Sequence, residues 1–234
     1  MVNARSPRWS ASTTLIDYAT RRGTTFAGKR VKQVTDHIAE AINALSRPPA
    51  VLGHSFGGLI TQQLAGRGLA AVSVPMDSAP FRGVLPLPVS ALKSARPLIG
   101  NPANYRRAVA LTYAQFRYSF ANAVSESEAK RLYETYPVPG SGIPLFQAAT
   151  ANFNPFTEIK VDSKAPRRGP MLMISGERDH IAPSAIANAS YAKQKRNTAV
   201  TIIREIPNRG HSLVFDSGWQ EVAEAALAFV KEHH

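Results

Sequence analysis

The sequence predicts an α/β protein built on a mostly parallel sheet, with a helical segment inserted part-way along. Three observations predict it. Short apolar runs alternate with amphipathic stretches towards both ends of the chain, the middle breaks that alternation, and a glycine-framed serine sits where one run passes into a helix. Strands alternating with helices argue for parallel pairing with helices on both faces.

The elements follow in order. Residues 1–27 show no period, and TTLIDYAT fits either a strand or a turn of helix. Val31, Val34, Ile38, Ala41, Ile42 and Leu45 recur at helical spacing, so 29–46 is an amphipathic helix that Arg47-Pro48-Pro49 ends. AVLG is a buried strand, a helix runs from Gly57 to Arg67, and AAVSVPM at 70–76 is the second strand. PMLMISG at 170–176 and AVTIIREI at 199–206 are further strands, with PSAIANASYAKQKR a helix between them. The chain closes with a helix whose apolar face is Val222, Ala223, Ala226, Leu227 and Val230. Residues 83–169, rich in proline, asparagine and aromatics, hold the helix-like YRRAVALTYAQFRYSFANAV and SESEAKRLYETY and no strong strand. This divides the chain into a core of 1–82 with 170–234, and an inserted helical subdomain of 83–169.

Composition narrows the function. The 234 residues, 44% hydrophobic, suffice for one core, and the absence of cysteine excludes disulfides and thiolate chemistry. No apolar run is long enough to span a membrane, and MVNARSPRWSAS lacks the apolar core of a secretory signal. These readings set the expectations of a cytoplasmic location and no membrane partner. The net charge is +12, and Arg5, Arg8, Arg21, Arg22, Lys29, Arg30 and Lys32 face only Asp17 in the first stretch. Elsewhere the basic residues are scattered without interleaved aromatics. A solvated basic surface is expected, and no nucleic-acid partner.

The chemistry centres on GHSFG. Gly53 and Gly57 frame Ser55 at a strand-to-helix turn where side chains would clash, and the helix behind it offers backbone donors to developing negative charge. The Phe56 N–H is the expected oxyanion donor. A serine hydroxyl needs a base, and the base an orienting carboxylate. In SGERDHIAP a strand runs into Asp179, and in IPNRGHSLVFDSGW His211 follows the last strand. Parallel strands place all their carboxyl ends on one edge, so the three side chains can converge there.

GHSFGG, SGERDHIAP and NRGHSLVFDSGWQEVAEAALAFV together resemble the α/β-hydrolase superfamily, in particular its small bacterial serine hydrolases with a helical cap. The resemblance covers roughly residues 28–234 in organisation. It implies Ser55 as nucleophile, His211 as base and Asp179 as orienting acid. It also implies 83–169 as the cap, a pocket between cap and sheet, a small carboxylic ester as substrate and no cofactor. The same site also serves lactones, amides, perhydrolysis and carbon–carbon cleavage in that superfamily.

Asp77 in VPMDSAP occupies the other place where some relatives carry the acid. Glu177 reads as solvated. His54 and His180 read as packing or hydrogen-bonding residues, with His54 and Phe81 also placed at the substrate. His37 reads as inert, and His233 and His234 as a flexible end. Tyr113, Phe116 and Phe120 share a helix face that holds the cap to the core. No grouping resembles a metal site, and the elbow lacks the Lys-Ser/Thr of a phosphate loop.

The chain departs from that pattern ahead of the elbow. Relatives place two or more strands there, one ending in a His-Gly loop that supplies a second oxyanion donor, and residues 1–48 show no such run. The sheet is therefore expected to be N-terminally reduced, with the elbow strand at its edge. Either residues 1–27 cover that edge or the protein forms a homodimer through it. The alternative function is a catalytically weak or inactive, truncated hydrolase-fold protein that binds a small apolar ligand.

Overall fold

Four short apolar runs become one parallel sheet in the structure, a computed structural model that describes residues 27–136 and 139–234. The strands are β1 (Ala50–His54), β2 (Val72–Met76), β5 (Met171–Gly176) and β6 (Thr201–Ile206), lying side by side in that order with every pairing parallel. β5 is buried along its whole length, as expected of an apolar run with a neighbour on each side and helices above and below. Among the described residues β1 forms one edge of the sheet, and Leu52 on it is 48% exposed. The expectation that the N-terminal stretch covers this edge concerns residues outside those described.

Helices fill both faces. α1 (Val31–Asn43), α2 (Phe56–Gly66) and α7 (Ser184–Gln194) share one core with Val31, Ile42, Leu59, Leu64 and Ile186. On the other face α8 (Trp219–His233) lays Val222, Ala225, Ala226 and Phe229 against Val72, Val74, Leu172 and Ile174. The strand period of two divides β5 accordingly, with Met171 and Met173 in a separate cluster beside Ala65. α2 is apolar nearly all round because it is buried between sheet and α1. Its polar residues are paired: Gln62 donates to Ser78 Oγ (2.7 Å) and accepts from Gln194 (3.0 Å), and the Gln63 Oε1 accepts from Thr35 (2.7 Å).

The apolar face of α8 is rotated from its expected position. Ala223 and Leu227 are exposed, and the buried set 222, 225, 226, 229 follows the i, i+3, i+4, i+7 stripe. Likewise Ala41 and Leu45 of the first amphipathic stretch face solvent, while Thr35 and Ala39 are buried. His233, expected in a flexible end, is the last residue of α8, with Nδ1 on the Phe229 carbonyl (3.1 Å) and its ring stacked on Phe229.

Between β2 and β5 the chain is mostly helical: α3 (Val89–Ile99), a 3-10 turn (Pro102–Arg106), α4 (Tyr113–Ser119), α5 (Glu126–Thr135) and α6 (Gly142–Thr150). A two-stranded antiparallel ribbon, β3 (Ala108–Val109) with β4 (Gly140–Ser141), interrupts them. The stretch 105–124, expected as helix, is therefore broken. The 3-10 turn ends at Arg106, and Thr112 starts α4 afresh by accepting from the Gln115 N–H.

Candidate active site

β1 delivers the serine. Its backbone passes from His54 directly into α2 through Ser55, at φ 56° and ψ −119°, a left-handed conformation unfavourable for any residue with a side chain. The bend is pinned from both sides: the Ser55 N–H donates to Met76 O (2.9 Å), and its carbonyl accepts from Leu59 N (3.2 Å) and Ala79 N (3.0 Å). The glycine roles differ from expectation. A Cβ on Gly53 would overlap the Gly57 carbonyl, and one on Gly58 would stand 2.9 Å from Ser78 Cβ, whereas one on Gly57 would meet open space. Gly53→Ala is therefore expected to lower the melting temperature sharply, and Gly57→Ala to change the folding stability by no more than about 0.5 kcal/mol. Equal melting shifts for the two variants would contradict this packing.

Phe56 is the first residue of α2, so its N–H belongs to the first-turn amides that a helix leaves without an internal acceptor. It lies immediately behind the serine, where the helix dipole favours an anion.

The expected base and its partner are joined. Asp179, in the loop after β5, holds His211 Nδ1 at 2.7 Å through Oδ2, while Oδ1 accepts from the Ile181 (2.6 Å) and Ala182 (3.0 Å) N–H groups. Burial alone would raise this carboxyl. The His211 charge and hydrogen bond, with the two amides, outweigh it and hold Asp179 below the usual aspartate value. An ionised carboxylate only accepts, so Nδ1 carries a proton, and in the neutral imidazole Nε2 is the nitrogen left with a lone pair. Both side chains are buried. His211 Nε2 makes no hydrogen bond, so the Ser55 hydroxyl is not bonded to it in this structure. The His211 loop is braced from below: Arg209 pairs with Asp216 and donates to the Gly218 carbonyl (2.7 Å), and Ser212 Oγ donates to Asp216 (2.7 Å).

Asp77 also reaches His211. It follows β2 at φ 41°, is buried, and accepts from Gly176 N–H (2.7 Å) through Oδ1. Its Oδ2 stands 3.9 Å from His211 Nδ1. Burial first, then the Asp179 charge, push its carboxyl well above the ordinary value. His54, expected at the substrate, packs its ring 4.5 Å from that of His211. Burial, aided by His211, lowers its pKa to about 3, which keeps it neutral near neutral pH. One donor atom each from His54, Asp77 and His211 lies within 4.8 Å of the others, a spacing a metal ion could use. Sequence showed no such grouping because these residues come from three separate parts of the chain, the end of β1 and the segments after β2 and β6.

Phe81, expected at the substrate, is buried in the core cluster of Leu59, Leu64 and Ile186. Hydrogen bonds from Ala79 N to Ser55 O and from Arg82 N to Ile159 O (2.8 Å) draw the chain inward at that point. His180 bonds the Tyr118 carbonyl (2.8 Å), Glu177 is exposed and accepts from Asn208 N–H (2.7 Å), and His37 is exposed. Sequence reasoning placed Phe120 between cap and core but missed its contact with His211. Its ring meets His211 edge-on at 5.1 Å, its carbonyl accepts from Ser212 N–H (3.1 Å), and Asn122 donates to the Arg178 carbonyl (2.7 Å). The i, i+4 spacing of Phe116 and Phe120, whose rings stack where Phe120 caps α4, was the one available signal.

The fold and this edge define a doubly covered parallel α/β protein that gathers its reactive groups at the carboxyl ends of its strands. The chain belongs to the alpha/beta hydrolase family, whose model matches residues 6–225. That match starts ahead of residue 28, where the sequence resemblance began. A monoacylglycerol lipase from Paleococcus ferrophilus is 19% identical, with a TM-score of 0.58 over 89% of this chain and 77% of that one. An extracellular alpha/beta-hydrolase from a Paenibacillus species is 18% identical (TM-score 0.54; 88% and 80% covered). A pyrethroid hydrolase from Sphingobium faniae is 16% identical (TM-score 0.55; 93% and 92% covered). No curated protein matches the chain.

Proposed function

We propose that the protein is a serine hydrolase that cleaves small carboxylic esters through an acyl-enzyme. The observation that carries this reading is the buried His211–Asp179 pair at 2.7 Å, on the same sheet edge as a serine held in a left-handed turn. Ser55 Oγ attacks the ester carbonyl while His211 Nε2 takes its proton, and the oxyanion forms against the Phe56 N–H. Collapse expels the alcohol, which takes the proton from His211. Water then attacks the acyl group by the same route and frees Ser55. Hydrogen bonds between nucleophile and base commonly tighten only once substrate is bound, which accommodates the unpaired Nε2. In this reading 83–169 acts as a cap whose Phe120 shields the base, and the chemistry needs no cofactor. The names of the lipase and hydrolases of similar fold agree with it.

The unpaired Nε2 favours the second reading, a hydrolase-fold protein that binds a small apolar ligand without turning it over. A short-chain p-nitrophenyl ester separates the two. Turnover with a burst of p-nitrophenol, together with labelling of Ser55 by a fluorophosphonate, is the expected result. No turnover and no label would leave the binding protein.

A further inference from the structure

The segment that enters the helical insertion is apolar where it meets water. Leu85 and Leu87 are each 71% exposed and Val89 is 80% exposed, with Leu92 following on α3. Pro86 and Pro88 alternate with them and fix the backbone, so the apolar side chains are presented with little conformational freedom left to lose. Asn152 accepts from Gly83 N–H (2.6 Å) and donates to the Val84 carbonyl (2.9 Å). Phe153, 87% exposed, follows Asn152 just as Leu85 follows Val84. Single exposed apolar residues need no explanation, but so many in one stretch do.

Charge says what covers them. From Ser78 to Ser125 the chain has no aspartate or glutamate, yet it carries Arg82, Lys93, Arg96, Arg106, Arg107 and Arg117. Lys93 and Arg96 line a 360 Å³ groove on α3 together with Val89, Leu92, Ile99 and Gly100. Lys93 is held there over the Tyr118 ring at 4.0 Å, and the Lys193 ammonium reaches over Gly83. None of the residues of the candidate active site lines the groove. Exposed apolar side chains on a segment whose only charged residues are cations match the interface of a bilayer with anionic headgroups, where apolar burial and electrostatic attraction act together. A buried face on a protein partner would not call for so uniform a sign. Among the described residues no helix is long and apolar enough to cross a membrane, and peripheral docking needs none.

We propose that the face formed by Leu85, Leu87, Val89, Leu92, Lys93 and Arg96 docks the protein on an anionic lipid surface. This runs against the expectation of no membrane partner, which rested on span length, the lack of a secretory signal and a basic surface read as solvated. It stands independently of the ester reading, because binding is measured without turnover.

The test is co-sedimentation of the full chain with phosphatidylcholine vesicles, with and without phosphatidylglycerol. Strong binding only to the anionic vesicles is expected, falling with salt. Lys93→Glu/Arg96→Glu is expected to lower partitioning roughly tenfold or more, and Leu85→Ser/Leu87→Ser/Val89→Ser to abolish it. All five positions lie at the surface, so melting temperatures should stay unchanged, and that is measured alongside. No binding by the parent chain, equal binding to neutral vesicles, or binding that survives both variants would overturn the proposal. So would concentration-dependent self-association lost in the serine variant, which would make the face an interface between two copies.

Discussion

Replacing Ser55 with glycine is expected to abolish ester turnover and stabilise the fold at the same time. The serine sits at φ 56°, ψ −119°, a region that glycine enters freely and other residues enter under strain of about 1–3 kcal/mol. Glycine relieves that strain, while its extra freedom in the unfolded chain returns about 0.5–1 kcal/mol. The net gain is about 1 kcal/mol, or roughly 2–4 °C in melting temperature for a chain of this size. Turnover should fall by several orders of magnitude, on the order of 10⁶ where the loss of such a nucleophile has been complete. Ser55→Ala separates the two effects: it loses the same activity but keeps the strained Cβ, so its melting temperature should not rise. The turn itself is held by Met76, Leu59 and Ala79, none of whose bonds uses the hydroxyl. Thermal unfolding of both variants beside p-nitrophenyl ester turnover provides the check. A glycine variant that melts no higher than the alanine one would show that the elbow is not strained.

What the sequence revealed and what it hid divide along a physical line. β1, β2, β5 and β6 were legible because each is a short apolar run bounded by turn residues, and period and length are local properties. Asp179 and His211 were legible for a related reason: each follows a strand, and parallel strands deliver such positions to one edge. α3 and α6 left no comparable trace, since the first carries an exposed valine and leucine and a proline and the second is short. Gly57 was misread because the motif marks both glycines alike, and only packing shows that Gly53 and Gly58 are the crowded ones. The contact of Phe120 with His211 joins residues far apart in the chain, which no periodicity encodes. Asp77 was legible as a rival to Asp179, but its closeness to the same imidazole nitrogen was not.

That closeness makes Asp179→Asn a test of two carboxyls. Exchanging the acid for its amide in a serine hydrolase locks the histidine in the wrong tautomer and costs about 10⁴ in rate. Here Asp77 Oδ2 already stands 3.9 Å from His211 Nδ1. The Asp179 charge is one of the two main causes that raise the Asp77 carboxyl, after burial. Removing that charge lets Asp77 ionise at lower pH and serve as the acceptor for Nδ1–H. Asp179→Asn is therefore expected to lose less than the full factor, with its remaining activity rising with pH as Asp77 loses its proton. Asp179→Asn/Asp77→Asn should fall to the full roughly 10⁴-fold loss and show no such rise. Stability supplies a readout that catalysis does not. A carboxyl whose folded pKa lies above its unfolded one binds more protons when folded, so its contribution is complete at low pH and is lost as pH rises towards the folded value. Asp77→Asn keeps an oxygen for the Gly176 N–H and places an amide donor where the protonated oxygen would be. Its advantage over the parent should be absent below the ordinary aspartate range and grow as pH rises above it. Asp179 has the opposite sign: its depressed pKa adds stability that is present above the unfolded value and lost as pH falls through the folded one. Denaturant unfolding of the single variants across that range separates the two carboxyls. Single and double variants of equal activity, with a pH-independent Asp77→Asn effect, would reduce Asp77 to a packing residue.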